Sequence, residues 1–402
     1  MKRVVITGSG AISSLGKNVL ENQDSLINGV CGITHLEILD VDLLLNKIGA
    51  MVKGYNPADY FSLNELSFFD RCTQFAIIAA KEAINQSGIE ISDEISHKVG
   101  VIIGNSGGGL QTLDENYRNV FQHKKKRLHP FIVPKLMSNA ASSQLSIINN
   151  IKGPSFTIST ACSSSNHAMG QAFKLIQTGQ LTAALTGGSE SMLCFGGLKA
   201  WESLRVMTNT KCRPFSKNRD GMSQGEGAAI FVFEEYESAV SRGANILAEV
   251  VGFSMTSDAV DIVRPDKDGA KRTMTAALKD AKLNNSQIGY INAHGTGTVL
   301  NDKIESLAIN EVFYGASESP LVSSTKSLHG HLIGGAGAIE LISCLISLNF
   351  GLIPPTVNFV ERDPDCHINL VTNRVVEKKV EYTLSNAFAF GGTNSVIVLK
   401  KF

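Results

Sequence analysis

Residues Ser155–Gly170 read SFTISTACSSSNHAMG, a β-rich run, a thiol, and then the start of a helical pattern. Phe156, Thr157, Ile158 and Thr160 favour a strand. From Ser163 the spacing turns helical and continues through "QAFKLIQ" to a glycine stop at Gly179. Cys162 therefore falls at a strand-to-helix turn. Unpaired backbone N–H groups and the helix dipole favour an anion there, which would raise the thiolate share of a thiol and its nucleophilicity. The same residues also suit a small buried cysteine in a tight turn.

Outward from this stretch, strand and helix patterns alternate along the whole chain. "RVVITG", "KVGVIIG", "TAALTGG" and "AIFVFE" read as strands, the first ended by Gly8, and "CTQFAIIAAKEAINQSG" reads as a helix. Near Ala248 the pattern restarts with "LAEVVGFS", "GAKRTMTAALKDAKL", "GYINAH", "DKIESLAINEVF" and "PLVSST". This predicts an α/β fold of two similar halves, 1–247 carrying the thiol and 248–402 carrying the histidine stretches. The apolar run "GAGAIELISCLISLNFGLIPP" contains Glu340 and small polar residues, so it reads as a buried helix and not a membrane span.

The 402 residues are 43% hydrophobic and 18% charged, with 37 Lys plus Arg against 37 Asp plus Glu. That balance gives no global field directed at nucleic acid or a membrane. The one charge run is "HKKKR", His123–Arg127, the usual pattern of a solvated loop. The 7 cysteines are dispersed without a CxxC, which suits a reducing compartment, and the N-terminus has no signal-length apolar stretch. A cytoplasmic protein is expected.

Three further stretches bear on chemistry. "GNSGGGL", Gly104–Leu110, follows a strand but has neither the lysine of a phosphate-binding P-loop nor the spacing of a dinucleotide fingerprint. "YINAHGTGT" and "SSTKSLHGH" place His294, Lys326 and His331 just past the ends of two strands, the same topological place as Cys162. Residues at that edge of α/β sheets converge on one site. Metal ligation by His294, His329 and His331 competes, but no carboxylate or cysteine accompanies them at ligand spacing. "SNAFAFGGTNSVIVL" is a glycine-hinged aromatic loop before a terminal strand. It reads either as a turn capped by packed phenylalanines or as a gate in which Phe390 moves and a backbone N–H serves an oxyanion.

Taken together, "VVITGSGAISSLG", "STACSSSNHA", "CRPFSKNRDGMSQGEGAA", "NAHGTGT", "SSTKSLHGH" and "FAFGGTN" resemble the β-ketoacyl-acyl carrier protein synthases. The Cys–His–His set is similar to the elongating (KAS II) type. The resemblance spans essentially the whole chain and implies a thiolase-like fold layered α-β-α-β-α. It implies an acyl group on Cys162, His294 and His331 donating to a malonyl unit as it decarboxylates, and Lys326 balancing charge. It further implies N–H groups of Cys162 and Phe390 as the oxyanion hole, with Gly391 in the gate loop. Thr296 and Thr298 would line the pantetheine channel, and Gly107 and Phe388 would meet substrate. Gly107 stands where housekeeping enzymes carry a blocking aliphatic side chain. No organic cofactor and no catalytic metal are implied, but Asn292, Glu340, Ser385 and Asn386 match a region that holds a structural monovalent cation in relatives. The implied partners are an acyl carrier protein and a second subunit, identical in a homodimer or different in a heterodimer. "HKKKR", Arg71 and Arg205 are candidates for carrier docking. Ala389 replaces a family glycine, which would stiffen the loop if that position required a positive φ. These departures resemble specialised ketosynthases of the polyketide, polyunsaturated-chain and nodulation kinds.

Overall fold

The computed structural model describes residues 1–316 and 318–402. Five strands of the large sheet come from the first half: β1 (Val4–Ser13), β2 (Val99–Gly104), β3 (Ser155–Ile158), β4 (Ala183–Glu190) and β5 (Gly227–Glu235). Five more come from the second: β6 (Ala248–Ser257), β7 (Ile288–Asn292), β8 (Leu321–Ser323), β9 (Tyr382–Ala389) and β10 (Thr393–Lys400). The first half is ordered β1-β5-β4-β2-β3 and the second β6-β10-β9-β7-β8, one order used twice. The strand senses repeat as well. In each half the first and last strands pair antiparallel, and the other three run parallel to one another. The halves join where Val4–Ile6 of β1 pair with Ala248–Val250 of β6.

Helices complete five layers. α1 (Arg71–Ser87) and α4 (Ala140–Ile148), with α2 (Leu110–Phe121) and α3 (Ile132–Leu136) between them in the chain, belong to the first half; α1 and α4 cover its outer face, and α6 (Lys267–Ala281) with α7 (Val299–Phe313) cover that of the second. Between the two halves of the sheet lie α5 (Ser164–Gln177) and α8 (Ala336–Phe350), each packed on strands of both halves. Thirteen of the fifteen residues of α8, from Ala336 to Leu348, are buried. An apolar run between the two halves of the sheet passes for a membrane span by composition alone, and its burial here explains the apolarity.

Strand β1 does not stop at Gly8. It runs on to Ser13 with an irregularity between Ile6 and Gly8, because Gly8 and Gly10 serve packing and do not break the strand. A Cβ at either would collide with the carbonyl oxygens of Ala83 or Ala79 in α1, so the missing side chains let α1 lie directly on the sheet.

Candidate active site

Both middle helices begin at the same edge of the layered core, and the loops that enter them carry the chemistry. The chain leaves β3, turns through Ala161 in the left-handed region (φ 49°), and reaches Cys162 two residues ahead of α5. A non-glycine residue in that region stores strain, and here it faces the thiol into the molecule. From the second half, His294 follows β7, while Lys326 and His331 lie between β8 and α8. Side-chain ligand atoms of Cys162, His294 and His331 all lie within 4.8 Å of one another.

The hydrogen bonds fix the histidine tautomers. The Ile333 N–H donates to His331 Nδ1 at 3.2 Å, and the Lys326 ammonium, which can only donate, faces His294 Nδ1 at 3.4 Å. Each ring therefore carries its proton on Nε2. His331 Nε2 is buried with no partner among the described residues. Burial first, then the Lys326 charge, holds both histidines well below the ordinary range, so both are neutral N–H donors at pH 7. Two Nε2–H groups and a lysine beside them disfavour a metal cation, although the three residues lie at ligand-like separations. His329 bonds instead to Thr325 and the Gly330 carbonyl.

The thiol departs from the dipole expectation. Burial pushes Cys162 up to about 12, outweighing the Lys326 charge and the N–H groups of Phe390 and Cys162 that act to lower it. Lys326 is fully buried and paired with Glu340, whose carboxyl burial pushes up to about 7 against that partner.

A cavity of ≈150 Å³ opens on Cys162 and is bordered by His294, His331, Thr296, Thr298, Phe388 and Phe390. Thr296 and Thr298 share a 2.9 Å hydroxyl bond, and the Phe388 ring meets His294 edge-on at 6.2 Å. Phe390 stacks on Trp201 at 6.0 Å and 25°. Gly391 (φ 83°) and Gly392 (φ 66°) follow in the left-handed region, and the Gly391 N–H donates to the Ile262 carbonyl. Ala389 sits at φ −119°, ordinary extended backbone, so its methyl imposes no strain in this state.

Several sequence expectations land elsewhere. Arg71 is not free for docking: it forms a two-pronged bond to buried Glu226. Arg205 and the residues of "HKKKR" are exposed. Gly107 does not border the cavity at Cys162 but a second one, and the glycine loop does hold an acidic group, the carboxyl of Glu190. That buried carboxylate accepts from the N–H groups of Ser106 (2.9 Å), Gly107 (3.3 Å) and Gly334 (3.1 Å). Glu305, not identified from the sequence, plays the same part in the second half by accepting from His294 N–H (2.8 Å) and Gly295 N–H (2.7 Å). Asn292 Oδ1, Glu340 Oε2, Ser385 Oγ and Asn386 Oδ1 are buried without partners among the described residues, and Asn292 pairs with Ser385 across β7 and β9. Four orphaned oxygens of this kind fit an alkali cation.

Residues 1–239 match the model of the beta-ketoacyl synthase N-terminal domain and residues 247–360 that of the C-terminal domain. A nodulation protein E of Rhizobium leguminosarum bv. trifolii is 40% identical over 400 residues, 100% of this chain and 99% of that protein. A 3-oxoacyl-[acyl-carrier-protein] synthase 2 of Staphylococcus aureus (strain N315) is 38% identical over 408 residues, again 100% and 99%. The solved ishigamide ketosynthase/chain length factor superposes with TM-score 0.94 at 32% identity, covering 100% of this chain and 99% of that one.

Proposed function

Because the chain belongs to the β-ketoacyl synthase family, we propose that it is an acyltransferase of the elongating type. It condenses malonyl-acyl carrier protein with an acyl group held on Cys162. The observation that carries the reading is the cluster of Cys162, His294 and His331, with both imidazoles locked as Nε2–H donors.

The chemistry follows from those atoms. The Cys162 sulfur attacks the acyl thioester while its carbonyl oxygen takes the N–H groups of Cys162 and Phe390. The carrier thiolate leaves and takes up the thiol proton. The malonyl thioester carbonyl then lies against the two Nε2–H donors. Loss of carbon dioxide leaves an enolate that neutral imidazoles stabilise without readily protonating it. The enolate carbon attacks the acyl carbonyl, and collapse of the tetrahedral oxyanion expels the Cys162 thiolate beside Lys326. The product is two carbons longer. Asn292, Glu340, Ser385 and Asn386 would hold a monovalent cation, whose fixed charge would offset the Glu340 carboxylate.

An acyl carrier protein is the partner this chemistry calls for, with exposed Lys124–Lys126 and Arg205 as docking charges. A second subunit belongs to the same reading. Strand β3 leaves the first-half edge open, and Tyr117, Phe121, Phe131 and Val133 expose apolar side chains on segments connected to it through α4. The similarity to a ketosynthase paired with a chain length factor favours a second version, a specialised ketosynthase working with a non-identical subunit.

Incubation with acyl-carrier thioesters, read by intact mass, tests the proposal. An adduct that is absent in Cys162→Ala, and an elongated product once malonyl-carrier protein is added, are expected. No adduct at any acyl length would overturn it.

A further inference from the structure

The two N–H groups that serve the acyl carbonyl come from different halves of the chain. That of Cys162 belongs to the turn after β3, and that of Phe390 to the loop between β9 and β10. An oxyanion is stabilised only when both donors lie at hydrogen-bond distance from one point, so the join between turn and loop sets how well they serve. The loop alone does not fix that join. Gly391 and Gly392 follow Phe390 in the left-handed region, and glycine has the least restricted backbone of any residue.

Two hydroxyls make the join. Ser163, next to the thiol and fully buried, places its Oγ 2.9 Å from the Thr393 carbonyl and 2.8 Å from the Thr160 carbonyl. Thr393 ends the Phe390 loop, and its own Oγ1 lies 3.2 Å from the same Thr160 carbonyl. With the Thr393 hydrogen directed to Thr160, the Ser163 hydrogen is free for Thr393. Each hydroxyl then donates to a backbone carbonyl of the opposite half. Thr160 is braced in turn by its hydroxyl, 2.8 Å from Nδ1 of His167 in α5. The neighbouring serines bond elsewhere. Ser164 Oγ accepts from the Thr160 N–H within the turn. Ser165 Oγ accepts from the Ala338 N–H in the first turn of α8, where Gly335 has no side chain to cap the helix.

We infer that Ser163 and Thr393 are positioning residues for acyl transfer, a crossed pair of hydroxyls that keeps the Phe390 N–H in register with Cys162. This rests on the condensing-enzyme reading and adds two residues to its first step. Two rates on each variant supply the test: adduct formation on Cys162 from an acyl-carrier thioester, and carbon dioxide release from malonyl-carrier protein. Only the first uses the Phe390 N–H. In Ser163→Ala and in Thr393→Val adduct formation falls about tenfold, while carbon dioxide release stays within about twofold. Thr393→Ser keeps the hydroxyl and retains the native rates. The double variant Ser163→Ala/Thr393→Val is no slower than the slower single one, because the two hydroxyls make one join. Ser165→Ala, which removes only the cap on α8, lowers the melting temperature and leaves the ratio of the two rates unchanged. Equal falls in both rates in Ser163→Ala, the same shift of ratio in Ser165→Ala, or a Thr393→Ser as slow as Thr393→Val would overturn the assignment. Absence of any adduct on the unaltered protein would instead overturn the reading beneath it.

Discussion

The two halves share one strand order but divide the chemistry between corresponding loops. The loop after the third strand and before the middle helix carries Cys162 in the first half, and Lys326 and His331 in the second. After the second strand, one half has the glycine loop and the other has His294. In both, a buried carboxylate collects two successive backbone N–H groups, Glu190 from Ser106 and Gly107, Glu305 from His294 and Gly295. Past the fourth strand stands Met192 in one half and Phe390 in the other. A repeated frame is thus used asymmetrically: the first half presents the thiol of Cys162, and the second presents both imidazoles, Lys326 and the Phe390 loop.

The sharpest way to break that division is to remove one member of each half. Cys162→Ala should abolish adduct formation and lower condensation by about four orders of magnitude. His294→Ala and His331→Ala should lower malonyl decarboxylation by about 10²–10³ yet leave transfer to Cys162 within about tenfold, measured as carbon dioxide release against adduct formation. Comparable losses in both steps would erase the division of labour.

Next in size is the contrast between the two carboxylates. Burial pushes Glu190 up to about 7 and Glu305 up to about 6, from an ordinary value of 4.5. Each binds its proton more tightly in the folded state. Its favourable contribution is therefore complete below about pH 4.5 and is lost as pH rises through 6 for Glu305 and 7 for Glu190. The melting temperature of the native protein should fall relative to each Glu→Gln variant by about 4 °C over these ranges. The difference should level off near pH 6 against Glu305→Gln and near pH 7 against Glu190→Gln. The smallest effect belongs to the surface. Reversing Lys124, Lys125 and Lys126 to Glu should raise KM for the carrier protein about threefold at low salt and leave it unchanged at high salt.

The candidate residues Cys162, His294, Lys326 and His331 were legible because each sits in a contiguous stretch where a strand pattern gives way to glycines or hydroxyls. The α/β alternation and its restart near Ala248 were legible for the same reason. What escaped sequence reading depends on contacts between distant segments. Glu305 lies within an ordinary-looking helix, and nothing in its neighbourhood signals the His294 amide it holds. Gly8 and Gly10 look like strand breakers until the α1 backbone is seen against them. Gly107 indicated an absent side chain, but only the fold reveals the Met192 methyl lying where one would begin.

Trp201 is the sole tryptophan of the chain, and it lies against Phe390, the aromatic ring at the entrance. The molecule therefore carries its own optical probe. Any displacement of Phe390 would unstack the one indole present, so a movement of this loop would register in intrinsic fluorescence without a label.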